Sequence, residues 1–276
     1  MVLLFLACSP GPELDRQGTL FGQVSGVALN PDGWSGGRVG VFSSTCDVNK
    51  AGEMGSEYDF GWGEETVTDT DGLHVVVTSG DEVHVQTDET WFSPVFDSFR
   101  VEGLADARFS DGELVAMSES RSGCQLVWPE SDDALDVPCG EMLEGPEGLL
   151  VDTDAGLFDP MLAQLVLERW DSVAWDAHGD RYLVSDGVTV AALTEEGTTL
   201  WSMEPGGRVT DVAPTRAGAA VSVEYDDLSG ALLLVDALAL DTATTSWAGH
   251  TLHVSDDGLN LVLERDHSLV FYELRP

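Results

Sequence analysis

Three aspartates are the residues of this chain whose type and spacing could support chemistry. Asp106, Asp171 and Asp211 occupy similar places near the starts of successive apolar segments. Carboxylates that converge from several segments can hold a divalent metal ion that activates water, as a metal-dependent hydrolase or lactonase requires. The sequence does not show whether these three side chains converge, so they are candidates for such a site and not an assigned one.

The other motifs that resemble catalytic or metal sites are better explained as turns. Residues 33–37 match G-x-S-x-G, but a strand is predicted to follow them instead of the helix that a nucleophile elbow needs. Residues 69–71 and 152–154 begin like calcium loops, yet Gly80 and Ala163 stand where an EF-hand needs glutamate. We interpret both as Asx-turns, with calcium in another geometry left open. We therefore predict no catalytic residue and no cofactor.

The charge balance excludes one class of partner. The chain has 50 acidic and 12 basic residues, which gives a formal net charge of −38 at pH 7. Such a charge repels phosphate backbones and anionic lipid surfaces, so nucleic acid is excluded as a partner. We interpret the acidic surface as an adaptation to salty or extracytoplasmic conditions; a site for cations or basic partners is the alternative.

The N-terminus indicates export. Residues 1–7 are apolar but too few to span a bilayer, which takes about 20, and they resemble the end of a secretory signal. The segment Phe5-Leu6-Ala7-Cys8 resembles the lipobox of bacterial lipoproteins, although Phe5 replaces the usual leucine and no basic residue precedes it. The resemblance implies a lipid on Cys8 and an outer-membrane lipoprotein of the cell envelope. A buried N-terminal strand with a structural Cys8 is the alternative, and the short signal leaves open a start codon upstream of Met1.

The remaining cysteines agree with export. Cys124 and Cys139 lie 15 residues apart and flank a predicted strand and turn. A disulfide between them is reasonable and would stabilise the fold by roughly 3 kcal/mol through loop closure. If Cys8 carries lipid, the three other cysteines cannot all pair, so one of them keeps its thiol; Cys46 could also compete for either partner.

A repeat of about forty residues organises the chain. Its marker is a polar turn that ends in glycine between two apolar strands, at Gly33, Gly72, Gly112, Gly148, Gly179, Gly218 and Gly258. Seven copies at this spacing predict an all-β fold, a β-propeller of seven four-stranded blades.

One copy, Ser172 to Trp201, contains the whole repeat. Its four apolar runs are Val173 to Trp175, Tyr182 to Ser185, Val188 to Leu193 and Thr199 to Trp201, which predict the four strands of the fifth blade. Five tryptophans are predicted to be a second marker, on outer strands of the second to sixth blades. They are Trp91, Trp128, Trp170, Trp201 and Trp247.

The ends of the chain predict how the ring closes. The last copy offers three strands, and Thr19 to Val24 is an unassigned strand that could supply the fourth. We therefore expect a signal segment at 1–7, a linker at 8–17 and a single propeller domain at 18–276.

A family resemblance rests on the fifth copy. Val184 to Leu193, with its Asp-Gly turn, followed by Glu196-Gly197 and Leu200-Trp201, resembles the repeat of PQQ-like propellers and overlaps with the looser WD40-like pattern. Because the sequence shows no assembled catalytic constellation, we expect a non-catalytic, lipid-anchored binding or scaffold protein in the envelope, a monomer with a protein or glycan partner; propeller folds host this role, which is an analogy at the level of the fold. The alternative is a propeller hydrolase or lactonase with a metal in the central channel.

Overall fold

The structure is a computed structural model that describes most of the chain. The described residues are 13–29, 36–41, 44–49, 51–62, 65–71, 74–87, 95–131, 133–227, 229–235, 240–245, 249–255 and 257–275. Regular structure within them is entirely β-strand. No helix in this part of the chain has the length and apolarity needed to cross a membrane.

Twenty-eight strands run through the described residues. They are β1 (Glu13–Phe21), β2 (Val24–Leu29), β3 (Gly36–Val41), β4 (Ser44–Asn49), β5 (Met54–Tyr58), β6 (Thr66–Asp71), β7 (His74–Ser79), β8 (Glu82–Gln86), β9 (Phe96–Arg100), β10 (Leu104–Ser110), β11 (Glu113–Ser120), β12 (Gly123–Trp128), β13 (Asp133–Val137) and β14 (Gly140–Gly145). They continue as β15 (Gly148–Thr153), β16 (Gly156–Asp159), β17 (Gln164–Glu168), β18 (Ser172–Asp176), β19 (Arg181–Ser185), β20 (Val190–Leu193), β21 (Thr199–Met203), β22 (Arg208–Thr215), β23 (Gly218–Glu224), β24 (Gly230–Val235), β25 (Leu240–Thr245), β26 (Thr251–Val254), β27 (Asn260–Arg265) and β28 (Ser268–Arg275).

These strands form antiparallel sheets of four. Strands β2 to β25 make six sheets of four consecutive strands, which we number sheet 1 to sheet 6 in chain order. A further sheet, sheet 7, has the order β1-β28-β27-β26. Each sheet has one inner strand, and these strands are β2, β6, β10, β14, β18, β22 and β26. Each inner strand contacts the inner strands of the two neighbouring sheets, and the contact of β26 with β2 closes the ring. The all-β propeller of four-stranded sheets that the repeat predicts is therefore confirmed.

Hydrophobic clusters fill the spaces between successive sheets and carry the packing around the ring. Between sheets 5 and 6, for example, Leu183 and Ala192 pack with Val221 and Leu233. Equivalent clusters join every other neighbouring pair, including sheet 7 with sheet 1. Because strands β23 and β24 face clusters on both sides, they read as nearly continuous apolar runs and are buried along almost their whole length.

The N-terminal strand completes the last sheet. β1 pairs with β28 from Glu13 opposite Arg275 to Phe21 opposite Ser268. The expected bounds, Thr19 to Val24, were wrong, and the predicted linker 8–17 overlaps the strand from Glu13 onward. Residues 13–17 carry only one apolar side chain, so the hydrophobic pattern does not predict a strand there. They form a strand because their backbone pairs with β28.

The two sequence markers of the repeat differ in their outcome. Five of the glycines lie at the connection between the first and second strand of a sheet, as expected. Gly112, Gly179 and Gly258 lie in the turn itself, and Gly148 and Gly218 are the first residues of the second strand. Gly33 and Gly72 lie outside the described residues, as do Trp91 and Trp247. Of the three tryptophans that the structure describes, Trp201 lies within a fourth strand and Trp170 follows one, β17. Trp128 ends a third strand, so the expected outer-strand position is wrong for Trp128.

The cysteines hold one local constraint. A disulfide joins Cys124 in β12 to Cys139 just before β14, with their Cα atoms 5.0 Å apart. These are the two residues that the sequence analysis paired. Cys46 is buried in the cluster between sheets 7 and 1. Cys8 lies outside the described residues, so its lipidation stays a prediction.

Candidate functional site

The first strands of the sheets surround a central channel. It contains a cavity of about 780 Å³ lined by residues of sheets 1 to 7. Most of its charged side chains are acidic: Asp69, Glu141, Glu144, Asp152, Asp171, Asp176 and Asp211. Among the described residues, Arg108 is the only lysine or arginine that lines this cavity. The channel therefore favours cations and repels anions.

Asp211 ties three of the inner strands together. Its Oδ1 accepts hydrogen bonds from Ser172 Oγ in β18 at 2.7 Å and from its neighbour Val212 N at 2.8 Å. Its Oδ2 accepts from Leu252 N in β26 at 2.7 Å. Burial raises the pKa of the Asp211 carboxyl, and these hydrogen bonds together with the nearby His253 oppose the rise. Both carboxylate oxygens thus serve to connect β18, β22 and β26.

β-Bulges set the position of several channel aspartates. Asp69, Asp106 and Asp211 are each the first paired residue after a bulge in the inner strand. Asp69 Oδ2 accepts a hydrogen bond from Phe109 N of the next inner strand at 2.6 Å, which parallels the bond from Asp211 to Leu252. A bulge re-aims one side chain; at Asp69 and Asp211 the carboxylate bonds to the neighbouring sheet, whereas that of Asp106 bonds to Ala107 N and Arg108 of its own strand.

Asp69 was not among the predicted channel carboxylates, although a signal for it exists in the sequence. An apolar residue, a small residue and an aspartate recur in the inner strands, as Val67-Thr68-Asp69, Leu104-Ala105-Asp106 and Val209-Thr210-Asp211. The triplets at 69–71 and 152–154 were interpreted as Asx-turns. Asp69 and Asp152 lie instead within strands β6 and β15, so the interpretation is wrong for these two residues, whereas Asp154 lies in the turn between β15 and β16.

The structure separates the three predicted channel carboxylates. Asp171 and Asp211 line the same cavity, whereas Asp106 lies beside it and pairs with Arg108, Nη2 to Oδ2, at 3.1 Å. Asp171 is exposed and immediately precedes β18. Among the described residues, no three histidine, cysteine, aspartate or glutamate side chains stand together so that they could hold a metal ion.

Two further carboxylates of the channel belong to residues that are paired across one hairpin. Glu141 in β14 and Asp152 in β15 are directly opposite each other across the hairpin. Burial raises the pKa of both carboxyls; Arg108 opposes the rise at Glu141 while Asp152 adds to it, and Arg169 opposes it at Asp152. Like charges in this register destabilise a sheet, so Arg108 and Arg169 act as partial compensation. No spacing in the sequence predicted this pair.

Three of the described histidines, His84, His250 and His253, are engaged in pairs or in packing. His253 Nε2 lies 2.9 Å from Glu264 Oε2, and His250 Nε2 lies 3.1 Å from Asp266 Oδ1. His84 is buried, stacks on Trp62 with ring centroids 3.6 Å apart, and its Nδ1 lies 2.7 Å from Ser98 Oγ.

Comparisons with known proteins support the fold and nothing finer. Searches of protein-family models and of curated protein sequences find no match. Among solved structures, a chain in a crystal structure of the mitotic checkpoint complex is 14% identical with a TM-score of 0.63 over 100% of both chains. The WD40 domain of Pan2 from Neurospora crassa is 11% identical with a TM-score of 0.66, over 94% of this chain and 95% of that one. The chain has a WD40-like β-propeller fold.

Proposed function

We propose that this WD40-like β-propeller is a non-catalytic binding protein that presents a rigid surface to a protein or glycan partner. The main support for the proposal is that Asp211 uses both carboxylate oxygens to hold inner strands together. A catalytic carboxylate needs an oxygen available to substrate or metal, whereas both oxygens of Asp211 accept hydrogen bonds that connect inner strands. Asp69 is used in a similar way through Phe109 N. Asp211 and Asp69 are thus parts of the scaffold, and on this proposal the fold serves to display its surfaces.

Metal analysis of the purified full chain tests the non-catalytic part of this proposal. The proposal predicts less than about 0.1 equivalent of any divalent ion after dialysis against a weak chelator, since site affinity needs several converging ligands. A stoichiometric, tightly bound ion that Asp211→Asn and Asp171→Asn both release would contradict it and favour a metal-dependent hydrolase.

We also propose that the chain is an exported lipoprotein of the cell envelope, held at the outer membrane by a lipid on Cys8. The lipobox-like segment Phe5 to Cys8 supports this, and so does the disulfide between Cys124 and Cys139, because disulfides persist in oxidising compartments.

Labelling cells with a radioactive fatty acid tests the anchor. The wild-type chain should incorporate label, and a Cys8→Ala variant should not. A Cys46→Ala variant is the control for loss of a cysteine and should label as the wild type does. Equal labelling of the wild type and Cys8→Ala would refute the lipid anchor.

We propose that the repeat is of the PQQ-like type, and the local geometry of sheet 5 supports this. The Asp-Gly turn that the resemblance rests on lies between β19 and β20, where Asp186 Oδ1 accepts hydrogen bonds from Val188 N at 3.0 Å and Thr189 N at 2.7 Å. Gly187 has a φ of 83°, a conformation that glycine adopts without strain. The turn therefore has a structural reason for both residues.

A further inference from the structure

A groove between sheets 4 and 5 is separate from the central channel. It lies where the turns β14–β15 and β16–β17 approach β19 and the turn β20–β21, and it holds a cavity of about 410 Å³. We call it the 4/5 groove. Residues that line it include Glu147, Leu149, Met161, Leu165, Tyr182 and Glu195.

The edge of the 4/5 groove exposes an unusual concentration of apolar side chains. Eight large hydrophobic residues are markedly exposed in the described part of the chain, and three of them, Met161, Leu162 and Leu165, lie within five residues. Their exposed fractions are 79%, 58% and 51%. Single exposed hydrophobic residues are normal on a protein surface, but a contiguous group beside a cavity is typical of a binding site.

The turn that carries this group is held in place before any partner arrives. Asp159 Oδ1 accepts hydrogen bonds from Met161 N at 2.8 Å and from Leu162 N at 2.9 Å. Ala163 completes the turn with a φ of 53°, a left-handed conformation that is uncommon for alanine. A surface that is ordered in advance loses less entropy on binding, which favours affinity.

Acidic residues border the apolar group. Glu147, Glu195 and Glu196 line the 4/5 groove, and no lysine or arginine does so among the described residues. Burial raises the pKa of Tyr182, on the floor, to about 12, and the charges of Glu195 and Asp159 add to the rise, which shows that their negative field reaches the floor. A hydrogen bond from Thr194 lowers the pKa of Glu196, so that carboxylate is ionised at neutral pH.

We propose that the 4/5 groove binds a segment of a protein partner in which apolar side chains alternate with lysine or arginine. The inference deepens the proposed binding function and rests on it. Met161, Leu162 and Leu165 would cover the apolar side chains of the segment, and the acidic border would pair with its basic ones. A second copy of this chain fits poorly, because it brings 50 acidic and only 12 basic residues to the interface.

Synthetic peptides of defined sequence test the inference with the full chain. The probe is a fluorescein-labelled 12-residue peptide that alternates leucine with lysine. Two control peptides replace either every leucine with serine or every lysine with glutamine. Anisotropy titrations should give the tightest binding for the first peptide, with an affinity that falls as salt is added because the charges are screened.

Variants locate the binding. Met161→Ser/Leu165→Ser should weaken binding of the leucine-lysine peptide at least about tenfold, since truncating central apolar contacts removes most of an interface energy. The matched control is Phe21→Ser/Val95→Ser, which removes exposed apolar side chains elsewhere and should bind as the wild type does. All four residues are exposed, so both variants should keep the wild-type thermal midpoint.

A second pair of variants tests the charges without changing apolar contacts. Glu195→Gln/Glu196→Gln should weaken binding at least about threefold at low ionic strength, and the difference should shrink as salt is added. Glu119→Gln/Glu130→Gln, on exposed positions of sheet 3, is the control and should have no effect.

Several results would overturn the inference. If the 4/5 groove variants and their controls bind the peptide equally, the peptide binds elsewhere on the chain, and the proposed binding function is unaffected. Equal binding of the lysine and glutamine peptides would remove the charge argument. A concentration-dependent dimer in light scattering that Met161→Ser/Leu165→Ser abolishes would make a second copy the occupant.

Discussion

Replacing Leu20 with alanine should destabilise the folded chain at the place where β1 closes the ring. Leu20 is 7% exposed, lies opposite Leu269 in the pairing of β1 with β28, and packs in the cluster between sheets 7 and 1 with Val39 and Phe271. Truncating a buried leucine leaves a cavity and typically costs about 2–5 kcal/mol of unfolding free energy. For a chain of this size that corresponds to a fall in the thermal midpoint of roughly 5–15 °C.

The neighbouring residue is a matched control for this prediction. Phe21 belongs to the same strand, but its side chain points the other way and is 78% exposed. Phe21→Ala should therefore change the unfolding free energy by less than about 0.5 kcal/mol. Both values come from urea titrations followed by tryptophan fluorescence. If the two variants lose the same stability, or Leu20→Ala loses none, β1 does not close the ring as the structure describes.

Three further predictions concern groups that the fold itself uses. The Asp211→Ala variant leaves Leu252 N, Ser172 Oγ and Val212 N without their acceptor and should lower the unfolding free energy by about 2–4 kcal/mol in a urea titration. The control Asp171→Ala, at an exposed position, should lower it by less than about 0.5 kcal/mol. Equal losses would contradict the structural role of Asp211. Burial lowers the pKa of His84 below its ordinary value of 6.5, and the charge of Glu82 opposes this shift. The unfolded chain therefore takes up the proton first, and the folded state loses stability as the pH falls below about 6.5. The His84→Phe variant should lose less stability than the wild type between pH 7.5 and pH 5.5, and an equal loss would contradict the lowered pKa of His84. Reducing the disulfide between Cys124 and Cys139 should lower the unfolding free energy by about 3 kcal/mol for its loop of 15 residues, and an unchanged urea midpoint in a reductant would contradict that contribution.

Local patterns predicted the sheets because each sheet is nearly complete within one repeat. The four apolar runs between Ser172 and Trp201 correspond to β18 to β21, since hairpins pair neighbours in sequence and their turns carry Gly187 and Gly197. The bounds of β1 could not be predicted in this way. Its partner is more than 240 residues away in sequence, and its first residues, from Glu13 to Gln17, are mostly polar.

The sites were less predictable because they depend on contacts between sheets. Asp211 was a candidate from its place near a strand start, but its bond to Leu252 spans 41 residues and has no local signature. The opposition of Glu141 and Asp152 depends on the register of one hairpin. The exposure of Met161 and Leu162 cannot be predicted locally either, since an apolar residue in a turn looks the same in sequence whether a neighbouring sheet covers it or not.

The most direct test of the proposed binding function is recovery of a partner from the cell envelope, where we propose that the chain lies. The full chain would carry a C-terminal affinity tag, be cross-linked in intact cells and be purified from the membrane fraction, beside a Cys8→Ala version and an unrelated tagged lipoprotein. We predict that one protein or glycan co-purifies in stoichiometric amount with the wild type and is absent from the unrelated lipoprotein. Recovery of the chain alone, without any partner in excess of that control, would contradict the proposal that it is a binding protein.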